Sequence, residues 1–455
     1  MSIFKACDIR GVVGTEFNEE IARSIGVGLG TLVEKTGGGP VCLAGDFRRS
    51  TAALKQSVCE GLLAAGATIK DAGRLPTPVA YFAATRSGCR NTAFVTASHN
   101  PGRYNGMKFM VAGQPTTPEL VAQLQECIAS PSEASAGGRV EPVDLRSEYE
   151  TAVQATAANV AHSDPESLAR RRLTVVADAM GGAFSEIAPR VLQAAGCRVI
   201  PLRCAVDPDF AAYDPNPAVD SNLAELTRRV VAERADFGVA FDGDGDRATL
   251  VDSTGRIIRP EQTAALFVQL FFPRPVVVYD LKCSSAITDA VRAAGGKAIM
   301  QPSGHGFIKT TMIRQQAEFG VEVSGHFFFQ ALGGGDDGLF VALLAAHAIA
   351  STGVSLAELV EPIGRPNTTP DIRLPLPKDP AALLEKIAAH CGGEVSRLDG
   401  VRAEYADGWA LARTSITEPL ITLRFEARPT ATLTAIASRF LQGVPELLAK
   451  VLEMI

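Results

Sequence analysis

An apolar run that leads into a polar loop and then a helix occurs three times in this chain, and this repeat restricts the fold more than any other feature. The apolar runs occupy residues 41–44, 173–177 and 276–279. Strands that alternate with helices are typical of parallel sheets with right-handed crossovers. Strands that are apolar throughout are typical of sheets covered on both faces. The repeat therefore predicts an α/β fold with three similar, mixed α/β/α domains.

Each unit is followed by a second polar loop, which also comes after an apolar stretch. These loops lie at residues 98–99, 242–247 and 322–326. Because α/β domains bind ligands at the loops beyond the carboxyl ends of their strands, we interpret the three loops as lining one central cleft.

The length of the chain requires several domains, since 455 residues exceed what one hydrophobic core usually holds. We predict four: residues 1–145, 146–253, 254–365 and 366–455. The last is expected to be a smaller α+β domain.

Local patterns place several elements within these domains. Apolar residues at helical spacing predict a helix that begins at Asn18 and ends at glycines 37–39. Residues 129–139 are small and polar, which favours a surface excursion.

The C-terminal part has its own signals. Six prolines between residues 361 and 380 predict a linker without regular structure. A hairpin is expected over residues 409–425, after the Asp407-Gly408 turn, and one amphipathic helix over residues 433–454.

Composition excludes some classes of protein. A net charge of −6 and a pI of about 5.7 argue against nucleic acid as a partner. The nine cysteines are dispersed without zinc-type spacing, which favours reduced thiols in the cytosol. No run approaches the ~20 apolar residues that span a bilayer, so we expect a cytoplasmic protein with no membrane contact.

The run FVTASHNP, residues 94–101, places a serine just beyond a buried strand. Such a serine is usually only a turn or cap residue, but Ser98 is followed by His99, a possible acid or base. A phosphorylated serine would carry about −1.5 to −2 charges. Lys108 and Arg10 are the candidate cations that would balance this charge.

The run FDGDGDR, residues 241–247, places three carboxylates at alternate positions. Asp242, Asp244 and Asp246 would repel one another unless a hard cation such as Mg²⁺ bound between them. An EF-hand loop would need Gly and Glu where this chain has Arg247 and Ser253. A solvated acidic turn is the remaining alternative to a metal site.

Two further segments carry polar side chains suited to a sugar phosphate. Glu322, Ser324 and His326 alternate, as side chains that bind neighbouring sugar hydroxyls would, although a polar strand end has the same pattern. A second segment combines a guanidinium with hydroxyls, which makes a good phosphate cradle. Its residues are Arg413, Ser415 and Thr417.

Other candidate acid/base groups follow strand ends. Lys282 lies after Asp280, and His305 lies in a Ser-Gly-His-Gly segment. Histidine titrates near neutral pH, but the sequence does not rank His99, Lys282 and His305.

Together these segments resemble the α-D-phosphohexomutase superfamily, and within it the bacterial phosphomannomutase/phosphoglucomutase group. The resemblance spans nearly the whole chain, from residues 4–11 to residues 413–419. It implies four domains, in order a phosphoserine, a metal-binding, a sugar-recognition and a phosphate-binding domain around a cleft.

The resemblance also implies roles for matching residues. Ser98 would be the phosphoserine, and one of its phosphoryl oxygens would join the three aspartates on Mg²⁺. Arg247, Arg10 and Lys108 would surround the transferring group, with His99 and Lys282 as acid/base candidates. Glu322 and Ser324 would bind sugar hydroxyls, with His305 and His326 nearby. Arg413, Ser415 and Thr417 would bind the distal phosphate.

The chain departs from the family pattern at three positions. Cys7 stands where many relatives have Tyr, Val321 where Gly is common, and Ile416 where Asn or Gly is usual. These departures bear on substrate preference more than on the chemistry.

The implied activity is reversible transfer of phosphate between O1 and O6 of a hexose phosphate, through a phosphoserine and a hexose 1,6-bisphosphate that also acts as activator. The expected partners are small hexose phosphates, and the expected state is a monomer or weak dimer.

Phosphoglucosamine mutase and a non-catalytic sugar-phosphate binding protein are alternative functions. A haloacid-dehalogenase-type phosphatase expects Thr or Val at the position of Asp246 and leaves Ser98 without a role.

Overall fold

In a computed structural model, residues 3–132, 137–164, 166–414 and 420–455 are described. They form four β-sheets, each with its own helices. The first sheet has the strand order β1-β5-β4-β2-β3-β7, with β6 paired to β5. Its strands are β1 Ile9–Val12, β2 Val41–Gly45, β3 Thr68–Arg74, β4 Asn91–Val95, β5 Tyr104–Val111, β6 Gln114–Pro115 and β7 Arg139–Pro142. Its helices are α1 Glu19–Lys35, α2 Thr51–Ala64, α3 Thr77–Arg86 and α4 Pro118–Ala129.

The second sheet has the order β12-β11-β10-β8-β9. Its strands are β8 Thr174–Asp178, β9 Arg198–Leu202, β10 Phe237–Phe241, β11 Ala248–Asp252 and β12 Ile257–Ile258. The helices in this part of the chain are α5 Arg146–Val160, α6 Ser167–Arg171, α7 Ile187–Ala194 and α8 Ala224–Ala232.

The third sheet has the order β14-β13-β15-β16-β17. Its strands are β13 Val276–Asp280, β14 Lys297–Gln301, β15 Phe319–Val321, β16 Phe327–Phe329 and β17 Gly335–Asp336. The helices are α9 Pro260–Phe271, α10 Ser285–Ala293, α11 His305–Gln315, α12 Gly338–Thr352 and α13 Leu356–Val360.

The fourth sheet is antiparallel throughout, with the order β18-β22-β21-β20-β19. Its strands are β18 Ile372–Pro375, β19 Glu394–Ser396, β20 Val401–Tyr405, β21 Gly408–Thr414 and β22 Leu420–Ala427. The helices are α14 Pro380–His390, α15 Leu433–Phe440 and α16 Pro445–Leu452.

The predicted repeat is confirmed, and it places the three polar loops in equivalent positions. In each of the first three sheets, one central strand pairs in parallel with a strand on either side: β2 with β3 and β4, β8 with β9 and β10, and β13 with β14 and β15. Every residue of β2, β4 and β10 is buried, as expected for sheets covered on both faces.

The sheets of these three domains are mixed, as predicted. In each sheet, the last of the three parallel strands along the chain is followed by an antiparallel partner. These pairs are β4 with β5, β10 with β11, and β15 with β16. The reason is the short polar loop itself, because a short connection can only return the chain antiparallel, whereas a parallel neighbour needs a long crossover.

Several local predictions can be compared with the structure. Helix α1 is confirmed, and the Asn18 side chain caps it by accepting a bond from the Ile21 N–H (2.9 Å). The hairpin is confirmed as β21 and β22, paired from Gly408 with Ala427. The predicted linker contains an edge strand, β18, and edge strands tolerate proline. The predicted excursion includes residues 133–136, which lie outside the described residues.

The single helix predicted at the C-terminus is wrong. Helix α15 ends at Phe440, and α16 begins at Pro445. Proline has no N–H to continue the preceding helix but is well suited to a first helical turn.

All nine cysteines are free thiols. Within the described ranges no single helix is long and apolar enough to cross a membrane, although one bent pair, Gly338–Thr352 with Leu356–Ile363, meets the length and composition together across a 97° bend. Helix α12 is apolar because it is a core helix, with every residue from Gly338 to Ile349 buried.

Candidate active site

The three polar loops meet at one place, as the repeat predicted. Ser98 of the first loop donates from Oγ to Oδ2 of Asp242 in the second loop (2.7 Å). Arg247 of the second loop donates from Nε to Nε2 of His326 in the third loop (2.8 Å). Arg247 and His326 also pair through an isolated antiparallel bridge. Residues more than 140 positions apart in sequence therefore share one polar centre.

Ser98 is buried and has an unusual backbone conformation. Its φ is 50°, in the left-handed region that non-glycine residues rarely adopt. Its N–H donates to Thr96 Oγ1 (2.9 Å), and its Oγ also lies 3.2 Å from Nδ1 of His99. A side chain at Gly243 would come within 2.4 Å of the Ser98 carbonyl oxygen. The glycine is thus what lets the carboxylate loop approach the serine loop.

The three aspartates form a buried carboxylate cluster. One oxygen from each of Asp242, Asp244 and Asp246 lies within 4.8 Å of the others, and all three residues are 1% exposed or less. Oδ1 of Asp244 and Oδ1 of Asp246 are buried without a hydrogen-bond partner. Burial and the two neighbouring carboxylates raise the pKa of Asp242 well above its usual range. Orphaned oxygens and mutual repulsion are what a hard divalent cation relieves, so these residues fit a metal site.

Lys108 supplies a positive charge to this cluster. Its Nζ lies 2.7 Å from Oδ2 of Asp244 and also contacts Oδ2 of Asp246. Burial alone would lower the pKa of Lys108, but the two carboxylates hold it well above its usual range. Oδ2 of Asp244 also accepts hydrogen bonds from the hydroxyls of Thr77 (2.7 Å) and Thr96 (3.2 Å).

His326 is fixed from both sides of its ring. Nδ1 lies 2.8 Å from Oδ2 of Asp336, while Nε2 accepts from Arg247. The network therefore assigns the ring proton to Nδ1. Lys309 in turn pairs with Oδ1 of Asp336 (2.7 Å) and lies over the Tyr81 ring (4.0 Å).

Asp336 and Lys309 were not predicted from the sequence. Asp336 also groups with Asp246 and His326 at metal-ligand distance. The glycine-rich run before the Asp336-Asp337 pair was a signal that could have drawn attention to it.

Arg10 and His99 adjoin the Ser98 loop, whereas His305 lies beside His326, with ring centroids 6.4 Å apart. Arg10 donates from Nη1 to Oδ1 of Asn100 (2.6 Å) and pairs with Asp8. Burial, followed by the charges of Arg247 and Arg10, holds the pKa of His99 well below its usual range. His305 begins helix α11, and burial together with Lys309 and Lys108 lowers its pKa to about 3.

One of the predicted sugar-binding residues, Ser324, borders a wide cavity. Glu322 accepts from the Gly304 N–H (2.8 Å) and from the Ser324 hydroxyl (3.1 Å). Lys282 pairs with Asp371 of the C-terminal part (3.2 Å). Lys282 and Ser324 line a cavity of about 610 Å³ between the second, third and fourth sheets.

Arg413 lies in β21 of the fourth sheet. Its Nη2 pairs with Oδ2 of Asp399 (2.9 Å), and its Nε is buried without a partner. Among the described residues, neither Arg413 nor Lys282 hydrogen-bonds to the Ser98 loop. Ser415, Thr417 and Ile416 lie outside the described residues.

Comparison with known families places this site in context. Four family models of phosphoglucomutase/phosphomannomutase match in order: alpha/beta/alpha domain I over residues 1–135, domain II over 148–255, domain III over 259–365 and the C-terminal domain over 371–443.

Individual relatives and a solved structure are similar to this chain over nearly its full length. A phosphomannomutase/phosphoglucomutase of Pseudomonas aeruginosa is 36% identical over 434 residues, which cover 94% of this chain and 92% of the relative. A phosphoglucomutase of Neisseria gonorrhoeae is 31% identical, covering 96% and 95%. The crystal structure of a phosphoglucomutase/phosphomannomutase family protein from Burkholderia thailandensis matches with a TM-score of 0.87 at 33% identity, covering 98% of this chain and 97% of that one.

Proposed function

Because this chain belongs to the phosphoglucomutase/phosphomannomutase family, we propose that it is a phosphohexomutase that moves a phosphoryl group reversibly between O1 and O6 of a hexose phosphate. Mannose and glucose phosphates are the proposed substrates. The observation that carries this proposal is the contact between Ser98 Oγ and Asp242 Oδ2 (2.7 Å) in a buried carboxylate cluster.

Ser98 acts as the carrier of the phosphoryl group. A sugar hydroxyl oxygen forms a bond to the phosphorus of phospho-Ser98, and the P–Oγ bond breaks. The product is a hexose 1,6-bisphosphate, and the hydroxyl proton passes to a neighbouring base. His99 and Lys282 are the candidates for this base, and His99 Nδ1 lies 3.2 Å from the serine oxygen. In the second half of the reaction, Ser98 takes back the other phosphoryl group.

A resident carrier has a physical advantage. Phosphate monoesters react so slowly in water that enzymes accelerate their hydrolysis by up to ~10²¹-fold. Transfer through solvent would lose the group to water. A buried serine keeps the phosphoryl group between fixed partners, and catalysis then depends mainly on positioning and charge stabilisation.

Asp242, Asp244 and Asp246, with an oxygen of phospho-Ser98, would hold Mg²⁺. When bound, this ion supplies positive charge that stabilises the charge developing on the transferring group. Lys108, Arg10 and Arg247 add cationic groups from the protein itself. Arg247 reaches the centre from the metal loop, where its backbone N–H already donates to Asp242 Oδ1 (3.2 Å).

The sugar and its second phosphate are bound by the third and fourth domains. Glu322 and Ser324 contact the sugar hydroxyls, with His305 and His326 beside them. Arg413, Ser415 and Thr417 hold the phosphate that is not reacting. The bisphosphate has to turn around between the two half-reactions, and the cavity beside Lys282 and Ser324 provides space for that motion.

Phosphorus NMR tests the proposal directly. The purified protein is incubated with Mg²⁺, a trace of glucose 1,6-bisphosphate and either glucose 1-phosphate or mannose 1-phosphate. We expect the 1-phosphate signal to be replaced by a 6-phosphate signal without free phosphate. Release of inorganic phosphate alone would indicate a phosphatase, and unchanged esters would favour a binding protein. Glucosamine 1-phosphate, tested in parallel, distinguishes a phosphoglucosamine mutase.

A further inference from the structure

One arginine outside the predicted site is completely buried beside the serine loop. The Arg48 side chain has 0% exposure and lies just after β2. Its guanidinium makes five hydrogen bonds. One goes from Nε to Oδ2 of Asp46 (3.1 Å), and the other four go to backbone carbonyl oxygens.

Three of the four carbonyl groups belong to the loop that carries the serine, and the fourth is that of Tyr104, the first residue of β5. Nη2 donates to Ser98 O (2.7 Å) and Asn100 O (2.6 Å), and Nη1 donates to Pro101 O (3.0 Å) and Tyr104 O (3.2 Å). A guanidinium has five N–H donors in a fixed plane. Each donor of Arg48 therefore has a partner, and four of them hold the serine loop and the start of the strand that follows it.

Asp46, the carboxylate that pairs with this arginine, is linked to Ser98 through one hydroxyl. Asp46 accepts from Thr96 Oγ1 (2.8 Å), and the same hydroxyl accepts from the Ser98 N–H (2.9 Å). The Phe210 ring from the second domain lies 4.7 Å from the guanidinium carbon, which adds a cation–π contact.

Such a clamp is needed because Ser98 adopts a strained conformation. A non-glycine residue in the left-handed region is strained and persists only where its surroundings fix it. Left free, the loop would relax and carry the Ser98 Oγ away from Asp242. The carbonyl bonds of Arg48 act on the residue itself and on the residues that follow it.

We propose that Arg48 is a positioning residue that holds the Ser98 loop in the conformation from which Oγ exchanges the phosphoryl group. This inference rests on the proposed function, since it assumes that Ser98 is the carrier. Arg48 contacts the serine loop but none of the residues proposed to bind sugar. Its loss should therefore lower kcat and leave KM for the hexose phosphate nearly unchanged.

The test replaces Arg48 with lysine, which keeps the charge but cannot form the planar fork. A misplacement of about 1 Å costs about 10²-fold in rate, so we expect kcat of Arg48→Lys to fall about 10²-fold, with KM changed less than about threefold. Single-turnover labelling of Ser98 by glucose 1,6-bisphosphate should slow by a similar factor.

Arg203 offers a matched control. Its side chain is 7% exposed, pairs with Asp178 at the end of β8, and lies over the Tyr213 ring (5.1 Å). Asp178 is the last residue of β8 in the second repeat, and Asp46 comes directly after the last residue of β2 in the first repeat. Arg203→Lys should lower the melting temperature about as much as Arg48→Lys does. Its kcat should stay within about twofold of the wild-type value.

Each outcome decides the inference. An active wild type with unchanged kcat in Arg48→Lys would overturn it, as would equal losses of kcat in Arg48→Lys and Arg203→Lys. A wild type that converts no hexose phosphate would instead contradict the proposed function. If Arg48→Lys fails to fold, Phe210→Leu keeps the arginine, removes the stacking contact and should still lower kcat several-fold. Full kcat in Phe210→Leu would then overturn the proposal.

Discussion

The proposed chemical end and the proposed recognition end of this cleft are built differently. At the chemical end, Ser98, Lys108 and the three aspartates are almost completely buried, and they bond to one another across two domains. At the recognition end, the phosphate-binding candidate Arg413 and the adjoining base candidate Lys282 retain 14% and 18% side-chain exposure. Lys282 lies beside the cavity, and Arg413 lies in β21 of the antiparallel sheet.

The charges at the two ends are also balanced differently. The cluster at the chemical end holds two buried carboxylate oxygens that accept no hydrogen bond from the described residues, which fits the proposed cation site. The cations at the recognition end are already paired, Lys282 with Asp371 and Arg413 with Asp399. Such pairs can be exchanged for a phosphate group. We infer that the first end is preorganised for one reaction, and the second end is adaptable to two orientations of one ligand.

The largest expected effect concerns the carrier itself. Ser98→Ala removes the only atom proposed to accept the phosphoryl group, and we expect turnover to fall by about 10⁴-fold or more. A coupled assay of glucose 1-phosphate conversion measures this loss. Ser185→Ala is the matched control, because Ser185 is also buried but donates only to the Gly182 carbonyl. Substantial activity in Ser98→Ala would remove the basis for a preorganised chemical end.

The second effect concerns the carboxylates. Asp242→Asn keeps the shape of the side chain and removes one charge, and metal ions contribute several kcal/mol to such reactions. We expect turnover to fall about 10³-fold, and a chelator should reduce the wild type similarly. Calorimetric titration with Mg²⁺ measures the binding. In the control Asp252→Asn, which removes a buried carboxylate that bonds to Thr254 and Arg256 instead, Mg²⁺ binding should persist.

A smaller effect is expected at the recognition end. Arg413→Ala removes a charged donor to the non-reacting phosphate, and such bonds contribute about 1.5–3 kcal/mol. We expect kcat/KM to fall about 10- to 100-fold in both directions of the reaction. Arg439→Ala, at an exposed arginine that pairs with Asp407, should leave both directions unaffected. A loss in one direction only would mean that the fourth domain serves one orientation of the ligand.

The smallest effect tests whether the pairs at the recognition end are exchangeable. Asp371→Asn frees Lys282 from an ion pair whose side chains are 18% and 21% exposed, and pairs at the protein surface contribute about 0–1 kcal/mol. KM for the hexose phosphate should fall by about threefold or less, because the pair no longer has to open. Steady-state kinetics at low ionic strength measures this. A KM more than tenfold higher would show that Asp371 supports the site instead of competing for Lys282.

The sequence predicted the parts of the molecule that depend on local pattern. The repeated strand–loop–helix units, the serine loop and the carboxylate loop each carry their signal within a few residues. Because equivalent loops leave equivalent edges of similar sheets, the meeting of Ser98 and Asp242 also followed from the repeat.

Other parts depend on contacts that no local pattern marks. Arg48 bonds to backbone carbonyls, and carbonyls look the same at every position of a sequence. Asp336 belongs to the site because His326 and Lys309, which lie on other elements, contact its carboxylate. The break at Pro445 was marked by the sequence, yet the apolar spacing around it suggested one continuous helix. The predicted roles of Ser415 and Thr417 stay predictions.

The most direct test of the preorganised chemical end is the mass of the intact protein, with peptide mapping, before and after incubation with glucose 1,6-bisphosphate and Mg²⁺. We expect one added phosphoryl group, located on Ser98, in the wild type and none in Ser98→Ala. A wild-type protein that takes no phosphoryl group at Ser98, or takes it elsewhere, would contradict the assignment of Ser98 as the carrier.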